Sequence, residues 1–260
     1  MKLIPFVFGH GPWLPGLAAR VPVMSDCDGA VIIDVLDDDS VPFFRLMNAA
    51  NARAFGDLGM PAWVQLDCAT LPTAMIGFAA RKRDLLSTPE QGALVQDLER
   101  RAAVDVDDDA LIPLAEYCAL PTPEAGHVVG FSLFSLRPGL GTRAKALGLL
   151  AMQAMTQTGI TQIHADMIVN GPPITNAALR THCRFGPLVI EKLRVKVHSK
   201  PGTLVYRLQV PSSSTLIELC SGSIARVPYP GPTEQKPMAR LRAADALVDV
   251  EADEVVIAVP

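Results

Sequence analysis

The chain has 260 residues, of which 49% are hydrophobic and 19% charged, and its formal net charge is -4 at pH 7. This length suits one large domain, or one domain with an appendage, and it can bury a sizeable core. The acidic balance argues against a general nucleic-acid-binding protein. No uninterrupted apolar stretch is long enough to span a membrane. We therefore expect a small-molecule substrate and neither nucleic acid nor membrane as a partner.

The cysteines favour a reducing compartment. There are five of them, and none belongs to a C-x-x-C motif: Cys27, Cys68, Cys118, Cys183 and Cys220. An odd, scattered set predicts buried thiols, not a disulfide framework or a zinc site. Lys2 and the apolar run after it resemble a signal peptide, but His10 and Pro12 interrupt the run and no A-x-A site follows. We expect a cytoplasmic protein without a bound metal.

Taken in chain order, the first 25 residues are rich in proline and glycine and are expected to cross the surface. Apolar periodicity and helix-start signals then predict the elements of the first half. These are a strand over 31–36, a helix over 43–55, a hairpin of 63–68 with 74–80, and a helix from about 87 to 103.

The same signals predict a mixed α/β domain over 1–210. Its second half consists of a hairpin of 111–120 with 127–136, a helix over 142–157, a strand over 160–169, a short helix over 175–183, and a hairpin of 189–198 with 203–210. The composition changes after Pro211-Ser-Ser-Ser. We interpret 211–260 as a C-terminal extension that packs on the domain or on a partner subunit. It is predicted to hold strands over 216–227, a helix over 238–247 and a strand over 255–259.

The stretch Leu136–Lys145 points most directly to a ligand. An apolar strand runs into a glycine-rich turn, and an apolar helix follows at once. No acidic residue occurs between Glu124 and Asp166, yet three basic residues crowd the helix start: Arg137, Arg143 and Lys145. Helix N-termini favour negative charge, so basic side chains there indicate an external anion. The layout predicts a phosphate cradle. The alternative is that these side chains are solvated or paired with the Asp-rich loops.

This turn and the segments after it resemble the GCN5-related N-acyltransferases. The resemblance covers about residues 60–210. It depends on Arg137-Pro-Gly139-Leu140-Gly141-Thr142-Arg143-Ala-Lys145-Ala-Leu147, Thr158-Gly-Ile-Thr, Asn176-Ala-Ala178-Leu and Arg184-Phe-Gly186. It implies a central, mostly antiparallel sheet flanked by helices, with acyl-CoA or acetyl-CoA as cosubstrate. The turn from Gly139 to Arg143 would bind the CoA pyrophosphate, aided by Arg137 and Lys145, and Asn176 would complete the cofactor-binding set.

The resemblance also implies three catalytic candidates. The family's tyrosine acid falls on His182, which would protonate the departing thiolate; a surface helix histidine is the alternative. Glu116 or His127, on the hairpin facing the substrate, would accept the proton of the amine. Glu116 is the only acidic residue in 111–120, although strand solubility is a simpler explanation. The chain departs from the family in the late position of Arg137 and in the inserted Gly171-Pro-Pro173.

Two other functions remain open. The segment from His164 to Thr175 and the C-terminal 24 residues are similar to parts of acetoacetate decarboxylase-like proteins, which use a Schiff-base lysine. That resemblance would make Lys145 or Lys192 the nucleophile, although the adjacent lysine pair is missing. In the other case the chain is a non-catalytic binding module, and the extension is the arm of a homodimer.

Overall fold

A computed structural model describes the chain apart from residues 57–58, 72–74, 156–158, 160, 170–176, 187, 195–201, 228–245, 252–253 and 259–260. The chain forms two compact units, one of Met1–Leu120 with Ser132–Met155 and one of Pro121–Phe131 with Thr156–Pro260. In both units the strands are mostly antiparallel, and helices flank them. The expected mixed α/β fold is confirmed.

The first unit contains four neighbouring strands in the order β4-β3-β1-β2. Strand β1 runs parallel to β2 and antiparallel to β3, and β3 runs antiparallel to β4. The elements of this unit are β1 (Ile4–Gly9), α1 (Leu14–Ala18), β2 (Val31–Asp34), α2 (Val41–Phe55), α3 (Ala62–Ala69), β3 (Met75–Arg81), α4 (Lys82–Leu85), α5 (Pro89–Ala102), β4 (Leu111–Pro121) and α6 (Leu140–Met155). Strand β5 (His127–Ser135) enters this unit with its last four residues.

The second unit continues from the first half of β5. Residues 127–130 of β5 pair in parallel with residues 162–165 of β6, and the following strands lie in the order β6-β8-β7-β9-β10. The elements are β6 (Gln162–Val169), α7 (Ala177–Cys183), β7 (Leu188–Arg194), β8 (Gly202–Gln209), α8 (Ser213–Ser221), β9 (Ala246–Glu251) and β10 (Glu254–Ala258). The boundary that we expected near residue 210 stays a prediction.

The helices of the first unit begin and end where local chemistry favours it. The side chain of Thr88 accepts a hydrogen bond from the Gln91 N–H at the start of α5, and Pro89 occupies its first turn. Gly56, with φ 59°, ends α2. On one face of the strands, α2 and α3 cover a core in which Phe6 meets Phe43 edge-on, with ring centroids 5.1 Å apart.

Three predictions of secondary structure are wrong. The first concerns the N-terminus: residues 4–9 form a fully buried strand between two others, so this part does not cross the surface. The second concerns 63–68, which belongs to helix α3. Its buried side chains, Gln65, Cys68 and Ala69, follow the helical spacing of three and four.

The third wrong prediction lies in the extension, where helix α8 replaces the strands expected over 216–227. Ser212 caps this helix, since its hydroxyl accepts a hydrogen bond from the Thr215 N–H at 3.3 Å. The helix expected over 238–247 lies mostly outside the described residues, and its last two positions belong to β9. The predicted C-terminal strand is present as β10.

Candidate functional site

A row of aligned positions crosses the first unit on the face that α2 and α3 cover. Phe6 of β1 lies opposite Gly77 of β3, which in turn lies opposite Glu116 of β4. A Cβ atom at Gly77 would lie 2.0 Å from the carbonyl oxygen of Ala115, so this strand pair accepts only glycine here. The close backbone approach fixes the register of β3 and β4, in which Glu116 lies opposite Gly77.

Glu116 is a buried carboxyl group with one oxygen bound and one unbound. Its side chain is 1% exposed. The Ser132 hydroxyl donates to Oε2 at 3.0 Å, whereas Oε1 has no hydrogen-bond partner among the described residues. Burial raises the pKa of Glu116 to about 8, and the hydrogen bond from Ser132 opposes this shift. The carboxyl group therefore changes its protonation state close to physiological pH.

Asn51 of α2 extends this contact. Its Nδ2 group donates to the Ser132 hydroxyl at 3.4 Å, and its Oδ1 atom accepts a hydrogen bond from the Met60 N–H at 2.6 Å. A Cβ atom at Gly59 would approach Oδ1 to 3.1 Å, so the glycine leaves room for the amide. Asn51 and Ser132 are 1% and 8% exposed. The arrangement is a hydrogen-bonded chain between α2, β5 and β4.

Three titratable groups lie near Glu116. Cys68 of α3 and Cys118 of β4 share a hydrogen bond, which lowers the pKa of the first thiol and raises that of the second. The charge of Cys68 adds to the raised pKa of Glu116. Tyr117 is also buried, and burial is the main cause of its raised pKa. None of these three groups is cationic, so none of them neutralises the negative charge of an ionised Glu116.

Asn51 and Ser132 were missed at the level of sequence, although each left a signal. Asn51 follows Met47 by one helical turn on the buried face of a predicted helix. Ser132 occupies an inward position of a strand between Val128 and Phe134, which are both buried. A polar residue on an apolar face requires a partner. The sequence could have identified both residues as buried polar groups. It could not have shown that their hydrogen bonds lead to Glu116.

The glycine turn leads from β5 into α6 as expected. Gly139 has φ 81°, a value that glycine adopts without strain, and it is open to solvent. Gly141 packs so closely that a Cβ atom would lie 3.2 Å from Cβ of Ser135. Leu140 and Thr142 are buried at the helix start. The described contact of the Arg137 guanidinium is with Sδ of Met1, at 3.3 Å, and it has no carboxylate partner among the described residues.

The other two basic residues of the turn are differently placed. Arg143 forms an ion pair with Asp26, and its guanidinium lies 5.1 Å from the ring centroid of Phe78. This is the pairing with an acidic loop that we held open, although the loop is not one of the Asp-rich ones. Lys145 is fully buried. Binding of a pyrophosphate by Arg143 and Lys145 stays a prediction.

The two histidines belong to the second unit. Nδ1 of His127 lies 3.1 Å from Oε2 of Glu124, in the turn where β5 begins. His182 is 8% exposed, and its ring centroid lies 5.1 Å from that of Tyr206. The alternative prediction, that His182 is a surface histidine, is wrong because its side chain is buried. Asn176 lies outside the described residues, as do the side chains of His164, Asp166 and Lys192.

Within the described residues, no three His, Cys, Asp or Glu side chains are grouped so that they could hold a metal ion. In the same part of the chain, no helix combines the length and the hydropathy that a membrane span needs.

Comparison with known proteins gives a weak structural likeness. No protein-family model and no curated protein matches the chain. Among solved structures, it is similar to a protein from Desulfovibrio desulfuricans that is assigned to the GNAT family of acetyltransferases. The two are 21% identical, the match covers 50% of this chain and 91% of the other, and the TM-score is 0.31. A likeness at this identity and TM-score carries no argument about the family or the site.

Proposed function

We propose that this protein transfers an acyl group from acyl-CoA to the amino group of a small molecule, with Glu116 as the general base. The observation that carries the proposal is the buried carboxyl group of Glu116, whose Oε1 atom has no partner among the described residues and whose pKa is raised to about 8. A base with a pKa near the working pH removes a proton most efficiently. The order of elements around α6 agrees with the family resemblance.

The chemistry follows from this group. The ionised Glu116 takes a proton from the acceptor's amine, whose nitrogen attacks the thioester carbonyl carbon. The C–N bond forms, the C–S bond breaks, and CoA leaves as a thiolate. The thiolate then takes up a proton to give the free thiol of CoA. Because Glu116 is closed to solvent, the acceptor reaches Oε1 only when the cover formed by α2 and α3 opens locally.

The turn at Gly139–Arg143 is the proposed site of the CoA pyrophosphate. It lies at the N-terminal end of α6, where backbone N–H groups and the helix dipole favour an anion. Arg137 supports this role, since its guanidinium has no carboxylate partner among the described residues. Acyl-CoA enters the reaction as a cosubstrate, and the transfer needs no metal.

Two measurements test the proposal. The first is the thermal shift of the protein with CoA, acetyl-CoA and longer acyl-CoAs; a melting temperature that none of them raises would exclude the cradle. The second is thiol release from acetyl-CoA with a panel of amines, for wild type and Glu116→Gln. We expect the substitution to abolish most of the turnover and to preserve CoA binding. Glu90→Gln, at an exposed glutamate in the first turn of α5, is the matched control.

A second candidate function is a Schiff-base decarboxylation of a keto acid at Lys145. The complete burial of this lysine supports it, because a desolvated site is where a Schiff-base lysine is activated. Incubation with a β-keto acid and borohydride would then add mass to the wild type and not to Lys145→Met. An unchanged wild-type mass would exclude this function.

A further inference from the structure

The hydrogen bonds that end at Glu116 run in one direction. The Met60 N–H can only donate, so the atom of Asn51 that receives its bond is the amide oxygen. The amide nitrogen of Asn51 is then the atom that faces Ser132. This contact with a backbone donor fixes the orientation of the amide, because only its oxygen can accept the hydrogen bond.

The direction continues through the serine. A hydroxyl group has one proton to donate. Because Ser132 receives a hydrogen from Asn51, its own proton is directed to Oε2 of Glu116, 3.0 Å away. Oε2 is thus occupied as an acceptor in both protonation states of the carboxyl group. When Glu116 is protonated, the proton belongs on Oε1, the oxygen without a partner among the described residues.

We propose that Asn51 and Ser132 are positioning residues that make Oε1 of Glu116 the single atom that gives and takes a proton. The inference rests on the proposed function and deepens it, because it names the reacting oxygen and the residues that select it. Neither residue touches the acceptor or CoA; both act through the carboxyl group. The second consequence is electrostatic, since a donor on Oε2 stabilises the carboxylate and so keeps its ionisation within reach of neutral pH.

The neighbouring groups do not supply this selection. The thiols of Cys68 and Cys118 and the phenol of Tyr117 interact with Glu116 through charge, and in their ionised forms they disfavour the carboxylate. No other hydrogen bond to the carboxyl group exists among the described residues. Ser132 is therefore the group whose removal should change the titration of Glu116 most.

The test is a titration of Glu116 by carbon NMR, in protein labelled at the glutamate carboxyl carbon, with Glu116→Gln to assign the signal. Four variants are compared: Ser132→Ala, Ser132→Thr, Asn51→Asp and Asn48→Asp. The first removes the donor and the second keeps it. Asn51→Asp still accepts from Met60 but no longer donates to Ser132. Asn48→Asp places the same charge on the same helix and serves as its control.

We expect the titration midpoint of Glu116 to move to higher pH in Ser132→Ala and Asn51→Asp, and to stay near the wild-type value in Ser132→Thr and Asn48→Asp. Loss of a charge-assisted hydrogen bond should lower kcat/KM at pH 7 about tenfold, and the deficit should disappear at high pH. A structural defect would lower the rate at every pH. If Ser132→Ala does not fold, Ser132→Cys, which is similar in size and a weaker donor, gives the same reading.

The outcomes separate this inference from the proposed function. An unchanged midpoint in both Ser132→Ala and Asn51→Asp overturns the inference, even if the protein transfers acyl groups. A shifted midpoint in a protein that transfers none supports the hydrogen-bonded chain and rejects the acyltransferase function. The inference and the proposed function are both supported if the protein transfers acyl groups, the midpoint of Glu116 shifts in Ser132→Ala, and the midpoint in Ser132→Thr stays near the wild-type value.

Discussion

Arg143 and Asp26 form a two-point ion pair, in which Nη1 lies 2.7 Å from Oδ2 and Nη2 lies 2.9 Å from Oδ1. The pair joins the first turn of α6 to the loop before β2. Nη2 also contacts Sγ of Cys27 at 3.6 Å. The thiol of Cys27 is itself unreactive at neutral pH, because burial and the charge of Asp26 raise its pKa to about 12.

We predict that Asp26→Asn lowers the free energy of unfolding by about 0.5–1 kcal/mol at pH 7, since the carboxylate is half exposed and solvent screens the pair. Arg143 lowers the pKa of Asp26. This stability is therefore present above the unfolded-state pKa of 3.8 and is lost as the pH falls through the lower folded-state value. Urea denaturation from pH 2 to 7 measures it. Asp28→Asn, which breaks the exposed pair with Lys2, should have little effect.

We expect Arg137 to contribute mainly to CoA binding and Arg143 mainly to stability. Arg137→Ala is expected to weaken CoA binding about tenfold and to leave stability nearly unchanged, because its guanidinium has no carboxylate partner among the described residues. Arg143→Ala is expected to lower stability more than Arg137→Ala does, because it breaks the ion pair with Asp26. Isothermal titration calorimetry at two salt concentrations checks the first effect. Equal CoA affinities of wild type and Arg137→Ala would contradict it.

Glu116 should make the folded protein less stable as the pH rises. Its pKa is about 8 in the folded state, against 4.5 for an ordinary glutamate, so between these limits the folded state binds more protons than the unfolded state. The free energy of unfolding then falls from about pH 4.5 to pH 8 and levels off above. Glu116→Gln should remove this slope and be the more stable protein at pH 8, by a few kcal/mol. A slope that persists in this variant, measured in urea, would show that other groups cause it.

Two glycine substitutions should have opposite effects. Gly77→Ala would place a Cβ atom 2.0 Å from a backbone oxygen, and we expect a loss of at least about 3 kcal/mol. Gly92 lies within α5, and its nearest contact for an added Cβ atom is Leu86 at 3.9 Å. Gly92→Ala should therefore stabilise the protein by about 0.5–1 kcal/mol through helix propensity. Thermal denaturation measures both, and a Gly77→Ala variant as stable as Gly92→Ala would contradict the strand register.

The sequence predicted the long elements because their periodicity extends over several turns. Helices α2, α5 and α6 each have fourteen to sixteen residues, which is enough for a helical face to appear. Helix α3 has eight, and its Trp63, Val64 and Cys68 also suit a strand. The short apolar run had no feature that decided between the two. In the folded chain, Cys68 of this helix is buried in the same core as Cys118 of β4.

Of the three residues in the hydrogen-bonded chain, the sequence predicts Glu116 and neither of the other two. Glu116 was singled out as the only acidic residue of its strand, and the structure places it in the core. Its partner Ser132 is sixteen residues away and Asn51 is sixty-five residues away. No local rule relates positions at these separations. The same is true of Asp26 and Arg143, which are 117 residues apart.

The first unit is discontinuous in sequence, and Glu116 and its positioning residue Ser132 fall on different pieces of it. Glu116 belongs to Met1–Leu120, whereas Ser132 belongs to Ser132–Met155. A fragment that stops at residue 120 would keep the carboxyl group and lose the hydroxyl group that binds it. Ribosomal synthesis meets the same condition, since Glu116 is made before Ser132. The hydrogen bond from Ser132 to the carboxyl group of Glu116 therefore forms only after the segment Ser132–Met155 has joined the first unit.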